Sequence, residues 1–428
     1  MKKILILYGS YGGGHLSAAN SIANHYKANY PDVEIKVIDC IAYINKYINK
    51  ISTEAYKEIA KKAPWIWKRM YNDSKSGPIA FLSSTTFKAL SGKLISLFDE
   101  ENPDLIISTQ PFATQMVAYL KEKEKVNYRL ATVMTDYHIH PQWLICYKEN
   151  DYFFVANNQM KRDMVAYGVD FRKIIVTGIP VSEKFSEEID ENPIYEEFGF
   201  SKDKKTILFF AGGEFGLGRN KTYMLLKAII RLFPNVQVLA LSGKNKKMKE
   251  KFEELVAHTN SSDRIKILDY TNKVPELMHI ADLVITKPGG LTVSEALASN
   301  IPLVLINPIP GQEEENAEFL INNNVAVLIK DEDNITRILK FLFKDEESFN
   351  AMIESTKVIA KPYSTKTICD YVYNNILSKP SPKQIVRETK TQKIKNMINN
   401  TKDTLEDALE EIKDIISPNK KDDNDSKK

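Results

Sequence analysis

The sequence predicts an α/β protein of two domains, each a parallel sheet wrapped by helices, that face each other across a cleft. Three observations predict it. The 428 residues, 43% apolar, exceed the roughly 100–200 residues of one domain. Short apolar runs alternate with helical segments, which is the pattern of βαβ units on a sheet buried on both faces. The alternation stops at a charged stretch, 186–197, and then starts again. The expected division is therefore an N-terminal domain over 1–180, a linker over 181–200 and a C-terminal domain over 201–360. A C-terminal helix over 361–379 is expected to pack back on the first domain, followed by a charged tail over 380–428.

In the first domain, strands are expected at Ile4–Tyr8, Ile35–Ile38, Leu105–Ser108, Arg129–Met134, Tyr152–Val155 and Ile174–Thr177. The apolar run at the N-terminus is too short for the roughly 7–15 residues of a signal-peptide core, so it reads as the first strand. It runs into Gly9-Ser10-Tyr11-Gly12-Gly13-Gly14-His15. Gly13 and Gly14 would let a ligand approach the backbone closely, although a plain tight turn would use the same residues. The run is neither a G-x-G-x-x-G fingerprint nor a P-loop, which turns the reading away from dinucleotides and NTPases. His15, at the edge of the cleft, is a candidate general base. The fourth strand runs into Thr135-Asp136-Tyr137-His138-Ile139-His140. Asp136 is the second candidate for proton chemistry, with turn capping as the alternative. His138 and His140 lack a third ligand at metal-binding spacing, so no metal site is expected.

In the second domain, strands are expected at Thr206–Ala211, Val236–Leu241, Ile265–Leu268, Leu283–Thr286, Pro302–Ile306 and Ala326–Ile329. After the first comes a loop with Gly212, Gly213, Gly216 and Gly218. So many glycines favour close backbone approach to a diphosphate. The most informative stretch runs Lys287-Pro288-Gly289-Gly290-Leu291-Thr292-Val293-Ser294-Glu295, followed by Pro310-Gly311-Gln312-Glu313-Glu314-Glu315-Asn316. A Gly-Gly turn opening a helix suits an anion, and a carboxylate in its second turn can accept both hydroxyls of a ribose. The later turn offers an amide and carboxylates suited to reading sugar hydroxyls; the alternative is a Thr/Glu capping arrangement followed by a solvated acidic run.

Composition supplies the rest. Net charge is only +3, so no global attraction to nucleic acid is implied. Three widely spaced cysteines fit neither a disulfide framework nor zinc, and a reducing compartment is expected. No run approaches the roughly 18–20 apolar residues of a spanning helix. Residues 41–97 carry ten basic against three acidic side chains, and Trp65 and Trp67 lie beside Lys61, Lys62, Lys68 and Arg69. That mixture suits an anionic membrane surface; the alternative is an ordinary solvated helix face over buried aromatics. Near the C-terminus, an apolar stripe recurs at helical spacing over 394–416, where two lysines oppose six acidic residues over 402–416. An acidic face is repelled by anionic lipid, so a partner helix is the expected companion of this tail.

The pattern Lys287-Pro288-Gly289-Gly290-Leu291-Thr292 with Glu295, then Pro308 through Asn316, resembles the donor site of family 28 glycosyltransferases. Gly12-Gly13-Gly14-His15, Thr135-Asp136-Tyr137 and Thr177-Gly178-Ile179-Pro180-Val181 narrow the resemblance to the branch of monogalactosyldiacylglycerol synthases and processive diacylglycerol glucosyltransferases. It spans roughly residues 1–375. The resemblance implies a GT-B fold with two Rossmann-like domains, the first holding diacylglycerol and the second a UDP-sugar. It implies an inverting transfer of a hexose, glucose before galactose, at the cytoplasmic face of the membrane, with no cofactor and no metal. By position, Glu295 would bind the ribose, Gln312 and Glu313 the sugar, and the 212–218 loop with Gly289, Gly290, Leu291 and Thr292 the diphosphate. Tyr270 and Thr271 would lie at the uracil. Ser10 stands where the plant enzymes carry an aspartate, which leans toward the bacterial glucosyltransferases. Two rival readings are transfer of N-acetylglucosamine to a polyprenyl-linked acceptor, and a UDP-sugar sensor without turnover.

Overall fold

The computed structural model describes residues 1–10, 13–44, 90–145, 147–212, 219–331 and 334–382. Its first sheet is formed by β1 (Lys2–Tyr8), β2 (Val33–Asp39), β3 (Leu105–Ser108), β4 (Arg129–Val133), β5 (Tyr152–Val155) and β6 (Ile174–Val176). Their spatial order is β2-β1-β3-β4-β5-β6, and every pairing is parallel. The second sheet comprises β7 (Thr206–Phe210), β8 (Gln237–Gly243), β9 (Ile265–Asp269), β10 (Leu283–Thr286), β11 (Leu303–Ile306) and β12 (Ala326–Ile329). Its order is β12-β11-β10-β7-β8-β9, again all parallel. All twelve expected strands are present. The bounds differ by up to two residues because polar termini such as Lys2 and Lys3 still join the backbone ladder.

Helices cover both faces, so the inner strands are mainly apolar. Leu105, Ile106 and Ile107 are fully buried, as are Leu283, Val284 and Ile285, and each side chain of this size contributes about 1.5–3 kcal/mol when buried. In each sheet the order reverses beside the first strand, between β1 and β3 and between β7 and β10. A crevice opens at the carboxyl ends of the strands at such a reversal. The crevice of the first sheet receives the turns that carry His15, Thr109 and Thr135 after β1, β3 and β4, and that of the second the turn after β10.

Five helices position the site: α1 (Gly14–Asn29), α2 (Pro111–Glu122), α3 (Gly290–Ala298), α4 (Gln312–Asn322) and α5 (Ser364–Tyr371). After the second sheet the chain returns to the first domain. Ile368, Cys369, Val372 and Ile376 share a core with Ile4, Ile6, Ile22 and Tyr26. The Tyr26 hydroxyl donates to the Cys369 carbonyl at 3.0 Å. Arg129 reaches the Pro380 carbonyl at 2.5 Å, so attachment to the first domain extends into the first residues of the expected tail. The amphipathic stripe over 394–416 lies outside the described residues. Among the described residues no helix is long and apolar enough to cross a membrane.

Candidate active site

His15 sits in the first turn of α1, directly after the glycine turn that ends β1. Its Nδ1 lies 2.6 Å from the Thr109 carbonyl oxygen at the end of β3, and 3.2 Å from Thr135 Oγ1 at the end of β4. A carbonyl only accepts, so Nδ1 carries the proton and Nε2 keeps its lone pair. The Thr109 hydroxyl donates back to the His15 carbonyl at 2.9 Å, which closes a small ring of contacts around the helix start. Burial lowers the His15 pKa to about 4, partly offset by the Thr109 carbonyl. The imidazole is therefore neutral at neutral pH, as a proton acceptor must be.

The donor half is built around two close backbone approaches. A Cβ on Gly212 would lie 1.9 Å from the Ser242 carbonyl oxygen, and one on Gly290 would lie 1.9 Å from the Thr135 carbonyl oxygen. The second contact joins the two domains, and beside it a Cβ on Gly14 would meet the Leu291 side chain at 3.2 Å. The start of α3, capped by Gly289, therefore lies against the His15 turn. Thr292 and Glu295 are partly buried on α3. Burial raises the Glu295 carboxyl to about 7.

The next loop is shaped by Gly311, whose φ of +93° strongly favours glycine. Its amide donates to Glu314 at 3.1 Å, so Glu314 is a cap for α4. Glu313 accepts from the Ile309 amide at 2.7 Å. Burial raises its carboxyl, and the nearby Lys287 opposes that shift. Burial lowers the Lys287 pKa in turn.

Asp136 has partners other than His15. Its carboxylate accepts from Asn316 Nδ2 at 3.3 Å; burial raises its pKa, while hydrogen bonds from Gln312, Asn316 and Trp143 oppose the rise. The orienting contacts on the imidazole come instead from Thr109 and Thr135, which the sequence reading did not single out. Beyond the end of β4 the chain bends, and Thr135 meets His15 while Asp136 meets the second domain. Tyr137 and Asn316 also play larger parts than the sequence reading gave them. The Tyr137 amide donates to Asn316 Oδ1 at 2.8 Å, its hydroxyl lies 2.8 Å from Ser294 Oγ, and its ring stacks on Phe319. His138 Nδ1 and Glu315 are 3.3 Å apart. The spacing of Gln312 and Asn316, one turn apart on a single helix face, was the available sequence signal.

A cleft of about 1250 Å³ extends between the domains, with Gly13 and Ser17 on one wall and Gly212, Lys244 and Tyr270 on the other. Tyr270 is 68% exposed, and Lys244 Nζ lies 5.8 Å from its ring centroid. Thr271 accepts from the Lys273 amide at 3.0 Å. Gly213, Gly216 and Gly218 lie outside the described residues, as do Lys61, Lys62, Trp65, Trp67, Lys68 and Arg69.

Two parallel six-stranded sheets whose strand-end loops meet across a cleft define the GT-B class. A Staphylococcus aureus MnaA–UDP complex shares this fold with a TM-score of 0.60 at 16% identity, covering 90% of this chain and 100% of that one. Acinetobacter baumannii MurG shares it with a TM-score of 0.56 at 14% identity, covering 89% and 100%. Residues 15–181 match the monogalactosyldiacylglycerol synthase family and residues 193–358 the group 1 glycosyl transferases. A processive diacylglycerol beta-glucosyltransferase of Staphylococcus epidermidis is 33% identical over 386 residues, 90% of this chain and 95% of its own. One from Staphylococcus aureus is 32% identical over the same shares. The chain belongs to this family of glycosyltransferases, the monogalactosyldiacylglycerol synthases and processive diacylglycerol beta-glucosyltransferases.

Proposed function

We propose that the protein transfers glucose from UDP-glucose to the free hydroxyl of 1,2-diacylglycerol with inversion, forming a β-glucosyl lipid. The observation that carries this reading is the meeting of His15, its Nδ1 engaged by Thr109, with the Gly290 helix start, in a chain one third identical to diacylglycerol glucosyltransferases over nearly their whole length. In this scheme His15 Nε2 takes the hydroxyl proton as the lipid oxygen attacks the anomeric carbon. The bond from that carbon to the diphosphate breaks, and UDP leaves with the electron pair.

Amides at the start of α3, with the glycines of the 212–218 stretch, are assigned to the departing diphosphate, so the scheme needs no metal or cofactor. Glu295 holds the ribose, Gln312 and Glu313 hold the sugar, and Tyr270 and Thr271 lie beside the uracil. The basic, aromatic stretch over residues 41–97 is assigned to contact with the lipid surface, in keeping with a peripheral protein at the cytoplasmic face of the membrane. The tail beyond residue 382 is left for a partner helix. UDP release from UDP-glucose that depends on diacylglycerol vesicles supports the reading. Tight UDP-glucose binding without such release identifies a sensor instead.

A further inference from the structure

Asn316 occupies an unusual place. It is 1% exposed, yet its amide serves both domains. Oδ1 accepts from the Tyr137 amide at 2.8 Å. Nδ2 donates to Asp136 Oδ1 at 3.3 Å and to the Pro288 carbonyl at 3.1 Å. Pro288 immediately precedes the Gly-Gly start of α3, and Asn316 itself lies one turn beyond Gln312 on α4. A single side chain therefore joins three segments: the donor loop, the helix expected to read the sugar, and the strand-end turn that also carries Thr135.

Thr135 extends the connection to the reacting group. Its carbonyl rests against Gly290 and its hydroxyl lies 3.2 Å from His15 Nδ1. The same turn is held from its other side by Tyr137, whose hydroxyl lies 2.8 Å from Ser294 Oγ. An amide with three directional contacts of this kind fixes both distance and orientation, whereas apolar packing alone fixes mainly distance.

We propose that Asn316 is a positioning residue for transfer: it clamps the Thr135–Tyr137 turn of the acceptor domain onto the donor domain and so sets where His15 and Asp136 stand relative to the bound sugar. The proposal rests on the transferase reading above. It assigns Asn316 to the closed arrangement of the two domains rather than to donor affinity. A contact that only stabilised the fold would lower thermal stability and leave the geometry of transfer alone.

The test compares wild-type protein with Asn316→Ala and Asn316→Asp. The aspartate keeps an acceptor for the Tyr137 amide but turns a second carboxylate toward Asp136. In assays with UDP-glucose and diacylglycerol vesicles, kcat of the alanine variant should fall by about 10²-fold, the scale of a misplacement near 1 Å. UDP affinity by calorimetry should stay within about threefold. The aspartate variant should be slower than the alanine variant, although it conserves size. A kcat within about threefold of wild type in the alanine variant, or parallel losses of kcat and UDP affinity, overturns the proposal. If wild-type protein makes no glycolipid, the transferase reading fails, and distances between spin labels on the two domains with UDP bound decide the clamp. A broader, longer distribution in Asn316→Ala supports it, and an unchanged distribution overturns it.

Discussion

Donor binding should be linked to one proton through Glu295. Burial holds its carboxyl near 7, whereas accepting two ribose hydroxyls stabilises the carboxylate and draws the bound-state pKa down. The free protein then holds a proton below about pH 7 that must be released on binding, so UDP affinity falls as pH falls. Between about pH 8 and about pH 6 the ionised fraction drops about tenfold, and the dissociation constant should rise by the same factor, about 1.4 kcal/mol. Isothermal titration of UDP in buffers of different ionisation enthalpy measures both the affinity and the proton count. Close to one proton should be released at the acidic end and almost none at the alkaline end. Glu295→Gln should remove the pH dependence, and Glu295→Ala should cost roughly 1.5–3 kcal/mol at the alkaline end, where the wild-type carboxylate is fully formed. An affinity that is flat with pH in the wild type, or an alanine variant that binds UDP normally, refutes the assignment of Glu295 to the ribose.

Three further outcomes are expected. His15→Ala should lower kcat by about 10²–10⁴-fold while UDP binding is spared; a near-normal kcat would move the base to Asp136. Gly290→Ala places a methyl 1.9 Å from the Thr135 carbonyl, so it should separate the domains and abolish transfer while each domain keeps its secondary structure by circular dichroism; full activity would mean the approach is not part of the working state. Replacing Lys61, Lys62, Trp65, Trp67, Lys68 and Arg69 together should weaken sedimentation with anionic vesicles and leave UDP affinity intact, and unchanged sedimentation would reject this segment as the membrane contact.

The sheets were legible because a parallel strand buried on both faces leaves an uninterrupted apolar run. Leu105–Ser108 and Leu283–Thr286 have the same bounds in the sequence reading and in the structure. The glycine turns were legible because few other residues tolerate such approaches, as at Gly212 and Gly290. What the sequence concealed depends on the two domains meeting. Nothing local marks Thr109, 94 residues from His15 in the chain, as the acceptor that fixes its tautomer. Asp136 and His15 are both at strand ends of one domain, and both are candidates for proton chemistry by sequence. In the bend beyond β4, Thr135 instead meets His15, and Asp136 meets Asn316, 180 residues away. The members of the acidic run Glu313–Glu315 divide the work in a way their adjacency does not reveal: Glu313 holds the Ile309 amide, Glu314 caps α4 and Glu315 faces His138.

The most direct test of the central claim is mass spectrometry of the lipid made by purified protein from diacylglycerol vesicles and an equal mixture of isotopically distinguished UDP-glucose and UDP-galactose, with anomeric configuration read by NMR. The account predicts diacylglycerol carrying glucose in β linkage. A product carrying mainly galactose would overturn the choice of sugar, an α linkage would overturn the inverting mechanism with His15 as base, and the absence of any glycosylated diacylglycerol from folded, UDP-binding protein would contradict the proposed function itself.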